Sequence, residues 1–74
     1  MTTDTAAPHP RLAKMANQIA ASVPDPARSD EQTAAHLRTF WTPQMIADLR
    51  LAAGSDPEGL RNDVHRALAL LRQA

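Results

Sequence analysis

The sequence predicts an all-α protein, a small bundle of three to four short helices behind a disordered N-terminal lead-in. Apolar residues recur at helical spacing from Leu12 onward, prolines and turn residues interrupt the pattern repeatedly, and no stretch alternates apolar and polar residues as a half-buried strand would. The 74 residues allow one domain, close to the lower size limit for a self-sufficient hydrophobic core. A monomer of this size is marginal, so a partner surface is expected.

Residues 1–10, "MTTDTAAPHP", are small, polar and broken by two prolines, which predicts a disordered segment; residues 11–74 form the single helical domain. In the first helix, Leu12, Met15, Ala16, Ile19, Ala20 and Val23 share one stripe of roughly 140° at about 100° per residue. Pro24 and Pro26 stop it, because proline lacks an amide donor and disfavours helical geometry in the residue before it. A second helix starts near Ser29 or Asp30, either of which can cap it, and its apolar face is Ala34, Leu37 and Trp41. Thr42-Pro43 ends that helix and begins a third, with Thr42 as cap and Pro43 in the first turn. Met45, Ile46, Leu49 and Ala52 or Ala53 line one side of the third helix, and Gly54 suits a left-handed position at its end. The last helix starts at Asp56-Pro57 or at Asn62-Asp63. Gly59 favours the later start, with Val64, Ala67, Leu68 and Leu71 as its apolar stripe.

Composition excludes several function classes. With no Cys there is no disulfide framework and no thiolate metal site. Eight basic residues balance eight acidic ones, which argues against the broad positive field of a nucleic-acid binder. A helix-turn-helix reader is disfavoured further, since the Thr-Pro turn lacks the usual glycine and the third helix carries only Arg50. The apolar runs are far shorter than the roughly 20 residues that span a bilayer, and no apolar signal-peptide core is present. These features predict a soluble, cytoplasmic protein.

Site chemistry is equally sparse. His9, His36 and His65 lack the facing ligand pairs that a metal requires and are expected to face solvent. Ser22, Ser29 and Ser55 sit in or beside breaks with no histidine to activate them, while Asp30, Glu31 and Asp63 are explained as helix-start acids. No catalytic, cofactor-binding or metal-binding residue is predicted. Arg11 and Lys14 lie against the dipole preference of the first helix and mark either a solvated flank or a contact with an acidic partner. Leu51 and Leu70 point away from the stripes of their helices, and Leu51 is a candidate partner contact.

The stretch "HLRTFWTPQM" holds the only Phe and the only Trp of the chain. Leu37 lies three residues before Phe40 and four before Trp41, so all three side chains can share one arc. Both rings can then serve the core, or one can plug the bundle while the other anchors an interface, a role in which tryptophan is favoured.

Three words of the sequence, in order, resemble the delta subunit family of NAD-dependent molybdenum formate dehydrogenases. They are "KMANQIA" (Lys14 to Ala20), "HLRTFWTPQM" (His36 to Met45), and Gly59-Leu60 with Val64 and Ala67-Leu68. The family's pattern looks like Met-Ala-Asn-Gln-Ile, then His-x-Arg-x-Phe-Trp-x-Pro-x-Met, then Gly-Leu-x-x-x-Val followed by Ala-Leu. The resemblance runs from Leu12 to Leu71, and its middle word is the specific one. Thr42 stands where an Asp commonly precedes the proline, Gln44 where a basic residue is usual, and Arg61-Asn62-Asp63 replaces a Ser-Pro or Asp-Pro helix start, with Asn62 able to cap instead.

The resemblance implies a non-catalytic accessory subunit of a cytoplasmic formate dehydrogenase. In that family the alpha subunit holds the molybdenum cofactor and iron-sulfur clusters, and the beta and gamma subunits carry FMN, clusters and the NAD site; the delta subunit carries none of these. Its implied role is to bind the alpha subunit directly and support assembly or stability of the complex that oxidises formate to carbon dioxide. Asn17 and Gln18 lie outside the apolar stripe of the first helix, so core packing does not require them. Together with the family words this makes Met15, Asn17, Gln18, Arg38, Phe40, Trp41, Pro43 and Leu51 the expected partner contacts. A transient assembly chaperone for the molybdenum subunit, or a small helical regulator that dimerises or binds DNA, are the alternatives.

Overall fold

The computed structural model describes residues 10–73 and places four α-helices among them. These are α1 (Pro10–Ala21), α2 (Ser29–Phe40), α3 (Pro43–Ser55) and α4 (Asn62–Gln73), with 3-10 turns at Pro26–Arg28 and Pro57–Gly59. The lead-in expected over residues 1–10 lies outside the described residues except for Pro10, which is the first residue of α1. Proline suits that position, because the amide it lacks would have no intrahelical partner.

Helix α1 buries Ala16 and Ala20 completely or nearly so, and their small side chains let its backbone approach the other helices closely. Leu12, Ala13 and Ile19 pack against the core from its flanks. Before Pro24 the helix ends: the Ser22 amide donates to the Ile19 carbonyl at 3.1 Å and the Ser22 hydroxyl to the Gln18 carbonyl at 2.6 Å. Two of the carbonyls that a helix end would leave unpaired are thereby satisfied.

Helix α2 starts at Ser29, but neither Ser29 nor Asp30 caps it; the flanking residue is Arg28, which makes no side-chain cap. The Ser29 hydroxyl instead donates to the Asp63 carboxylate on α4 at 2.8 Å, in a buried contact across the most extensive helix pair of the bundle. Thr33 and Leu37 are fully buried one and two turns further on. The Thr33 hydroxyl has no hydrogen-bond partner among the described residues, a local cost of about 1 to 3 kcal/mol.

Trp41 is where the chain leaves the helix. Its amide still donates to the Leu37 carbonyl at 2.9 Å, but its backbone is extended, with φ −98° and ψ 144°. Thr42 is extended as well, as a residue before proline must be, and its hydroxyl accepts from the Met45 amide at 3.1 Å to cap α3. The corner turns Trp41 inward to 7% exposure and leaves Phe40 outside at 70%. The two rings therefore do not share the core: one residue of extended backbone separates what a continuous helix would have placed on one arc.

Helix α3 buries Leu49 and Ala52. Gly54 does not terminate it in a left-handed conformation as expected; it lies inside the helix, which closes one residue later when the Asp56 amide donates to the Ala52 carbonyl at 2.9 Å. Gly59 has the stronger positional reason, since a Cβ there would stand 2.6 Å from the Asp56 carboxylate. The later start of α4 is the observed one, and Asp56-Pro57 opens a 3-10 turn instead. Asn62 is the first helical residue rather than the cap; the Arg61 carbonyl accepts from the amides of Val64 and His65. Val64, Ala67 and Leu68 bring the last wall to a core shared with Leu37, Trp41, Leu49 and Leu60. No helix among the described residues is long and apolar enough to cross a membrane.

Candidate functional site

Two apolar grooves flank the Trp41 corner, and the indole forms part of the wall of each. The first runs between α1 and α2 and is lined by Met15, Gln18, Ile19, Val23, His36 and Trp41, among others. Phe40 stands at its rim, held by a tilted ring contact with His36 at 4.7 Å between centroids. Its volume of about 710 Å³ would accommodate a small molecule, since ligand pockets run from about 300 to 1,000 Å³. The polar groups are too few and scattered for that role: Ser22 is committed to the Gln18 carbonyl, and the Gln32 carbonyl oxygen accepts from the Asp25 amide. An apolar side chain from another protein suits this lining better.

The second groove lies on the other side of the indole, between the end of α2, the face of α3 and the end of α4. Trp41, Pro43, Ile46 and Leu71 supply its apolar surface, and Arg38 and Arg50 stand along it. The Arg50 guanidinium donates to the Leu68 carbonyl at 3.1 Å, which fixes its position. Arg38 is exposed and makes no hydrogen bond or ion pair with a described residue.

The structure thus brings six of the eight expected contacts to one corner: Met15, Gln18 and Trp41 on the first groove, Arg38, Trp41 and Pro43 on the second, and Phe40 at the rim. Leu51 lies elsewhere on α3, 59% exposed and lining neither groove. Asn17 has a different job. Its side-chain amide donates to the Gly59 carbonyl at 2.8 Å and its oxygen accepts from the Arg61 amide at 3.0 Å, so it clamps α1 to the turn before α4. Asn17 stays outside the apolar core, as its place off the stripe implies, and those two bonds add a structural role that its spacing did not show.

Sequence reasoning also missed the contribution of His36 and Arg50 to these grooves. A histidine four residues before an exposed Phe was a signal for the first; nothing in the local sequence placed Arg50 beside Trp41. His65, expected to face solvent, is half-buried and its Nε2 lies 2.7 Å from the Pro57 carbonyl, to which it donates when that nitrogen carries the proton. Among the described residues no cluster of three or more histidines and carboxylates could hold a metal ion.

At the opposite end of the helix pair, Asp63 is a buried carboxylate. Arg61 donates to both of its oxygens, at 3.1 and 3.2 Å, and Ser29 to one. Burial alone pushes the Asp63 carboxyl up, but the hydrogen bonds from Arg61 and Ser29, with the Arg61 charge and the Val64 amide, outweigh it and hold the group below the usual carboxylate range. All of its partners lie within the chain, so this cluster is a structural tie.

Residues 11–68 match the family model of FdsD, described as NADH-dependant formate dehydrogenase delta subunit. The chain belongs to that family. No curated protein and no solved structure matches it. The FdsD match spans α1 through Leu68 of α4, including the first groove, the Asn17 clamp and all of the second groove but Leu71, so a delta subunit of an NAD-dependent formate dehydrogenase is built on this bundle.

Proposed function

We propose that this delta subunit is a non-catalytic accessory chain that binds the large alpha subunit of a cytoplasmic, molybdenum-containing formate dehydrogenase and supports assembly or stability of the complex. The observation that carries the reading is Phe40: a large ring 70% exposed, in ring contact with His36, which lines an apolar groove. Its position is fixed by the helix end and the capped Thr42-Pro43 corner beside it. A rigid aromatic at an apolar groove is the type of residue on which protein interfaces concentrate their binding energy. The molybdenum cofactor, iron-sulfur clusters and FMN belong to other subunits in this reading, and the beta and gamma subunits join through the same complex.

The test is co-expression of the tagged chain with the other subunits, followed by size exclusion. The expected result is a stoichiometric complex, and Phe40→Ala is expected to weaken retention while helicity by circular dichroism stays unchanged. Retention of only substoichiometric, cofactor-free alpha subunit would instead identify an assembly chaperone, and a lone homodimer would remove both readings.

A further inference from the structure

We infer that the groove between Arg38 and Arg50 seats an acidic segment of the partner subunit, one that presents a carboxylate beside an apolar side chain. The inference rests on the subunit reading and adds to it a location and a chemistry of recognition.

Charge complementarity carries the choice of occupant. The chain has no net charge, but its cations differ in whether the bundle pairs them. Arg28, Arg61 and Arg66 are each paired with a carboxylate, Glu31, Asp63 and Asp30 respectively. Arg38 and Arg50, like Arg11, Lys14 and Arg72, have no carboxylate partner among the described residues, but these two share one apolar groove, and no acidic residue lines it. Between them lie Pro43, Ile46 and Leu71, with the edge of the largely buried Trp41, as an apolar floor.

The two guanidinium groups are suited to different parts of the task. Arg50 is anchored through its bond to the Leu68 carbonyl, and its other donors have no partner among the described residues. It is held in place before anything binds, which lowers the ordering cost of using it. Arg38 sits in the last turn of α2, exposed and without a partner among the described residues, and can close over a carboxylate with two parallel N–H donors. Salt bridges on an open surface contribute little, whereas the same pair beside a tryptophan wall becomes partly desolvated when a segment covers the groove. The first groove has no charged residue in its lining and offers no comparable argument for what covers it.

The experiment uses the whole complex. Tagged Arg38→Glu, co-expressed with the other subunits, is expected to be retained about tenfold less tightly than wild type. Arg38→Lys should recover part of the loss, and raising ionic strength should weaken wild type more than Arg38→Glu. Arg38 is exposed, and circular dichroism reports whether the variant keeps its fold. In a second arm Ala47, an exposed position on the groove, is replaced by a photo-crosslinking phenylalanine analogue. The expected product joins it to a peptide of the alpha subunit containing Asp or Glu next to an apolar residue.

If wild type forms no complex, the subunit reading falls and the inference with it. If wild type forms the complex and Arg38→Glu behaves identically, only the groove assignment falls. A cross-link to a second copy of this chain, or to a segment without carboxylates, also overturns the assignment, and it decides the matter if Arg38→Glu loses its helicity.

Discussion

The two ends of the α2–α4 pair spend their polar and aromatic groups in opposite ways. At the Ser29 end a set of polar groups ties the helices together: Ser29 and Arg61 hold Asp63, Asn17 holds the backbone of the turn before α4, and His65 reaches back to the carbonyl of Pro57. At the Phe40 end the bundle leaves its only phenylalanine exposed and a guanidinium without a partner among the described residues. A chain this small gains little from exposing a phenylalanine, because burial of such a ring would contribute about 1.5 to 3 kcal/mol. The contrast locates stability at one end and partner contact at the other.

Breaking the distinction within the Phe40 end itself should give the largest effect. Trp41→Ala removes a ring that closes the core and is expected to cost about 3 to 5 kcal/mol, enough to abolish the thermal transition of a domain near the minimum size. Phe40→Ala, one residue away, is expected to change stability by less than about 0.5 kcal/mol. Thermal melts followed by circular dichroism compare the two directly. Equal destabilisation would mean that Phe40 packs in the core and is not free for a partner.

The Asp63 tie is the next test, and pH gives it a signature. Because its folded carboxyl lies below the unfolded value of 3.8, Asp63 contributes stability above that value, and the contribution is lost as pH falls through the folded one. Wild type should therefore lose stability in the acid range below about pH 4 more steeply than Asp63→Asn. Near neutral pH the order reverses: Asp63→Asn is expected to be less stable by about 1 to 3 kcal/mol, since it weakens the bonds to Arg61 and Ser29. Urea titrations at several pH values measure both. Exposed pairs such as Arg28 with Glu31 provide a contrast, because solvent screens them and they add little to stability.

Much of this bundle was legible because its signals are local. Proline at Pro43 with threonine before it marks the α2–α3 corner in the sequence alone, and the stripes of α1 and α4 identify Ala16, Ala20, Val64, Ala67 and Leu68 as core. The fate of the aromatic pair was not legible, because helical spacing assumes helical backbone, and Trp41 is the residue at which that assumption ends. Ser29 and Asp63 were read as helix-start residues on the same local logic. Their actual bond joins positions 34 apart in the chain and depends on how α2 crosses α4. The second groove was only half legible: Arg38 and Pro43 belong to a recognisable word, while Arg50 lies further along α3 and Leu71 comes from α4.

Asn17 provides the smallest effect and the sharpest separation of stability from contact. It belongs to the same sequence word as Gln18, which lines the first groove, yet its side chain faces the opposite task of holding Gly59 and Arg61. Each such bond contributes about 0.5 to 1.5 kcal/mol net, so Asn17→Ala should lower stability by about 1 to 2 kcal/mol. Gln18→Ala removes no hydrogen bond of the side chain and should leave the melting temperature nearly unchanged. Measured for retention on the complex at a temperature where both variants remain folded, Gln18→Ala is expected to weaken binding and Asn17→Ala to leave it close to wild type. The reverse result would place the partner on the turn before α4, where the bundle already uses its own polar groups.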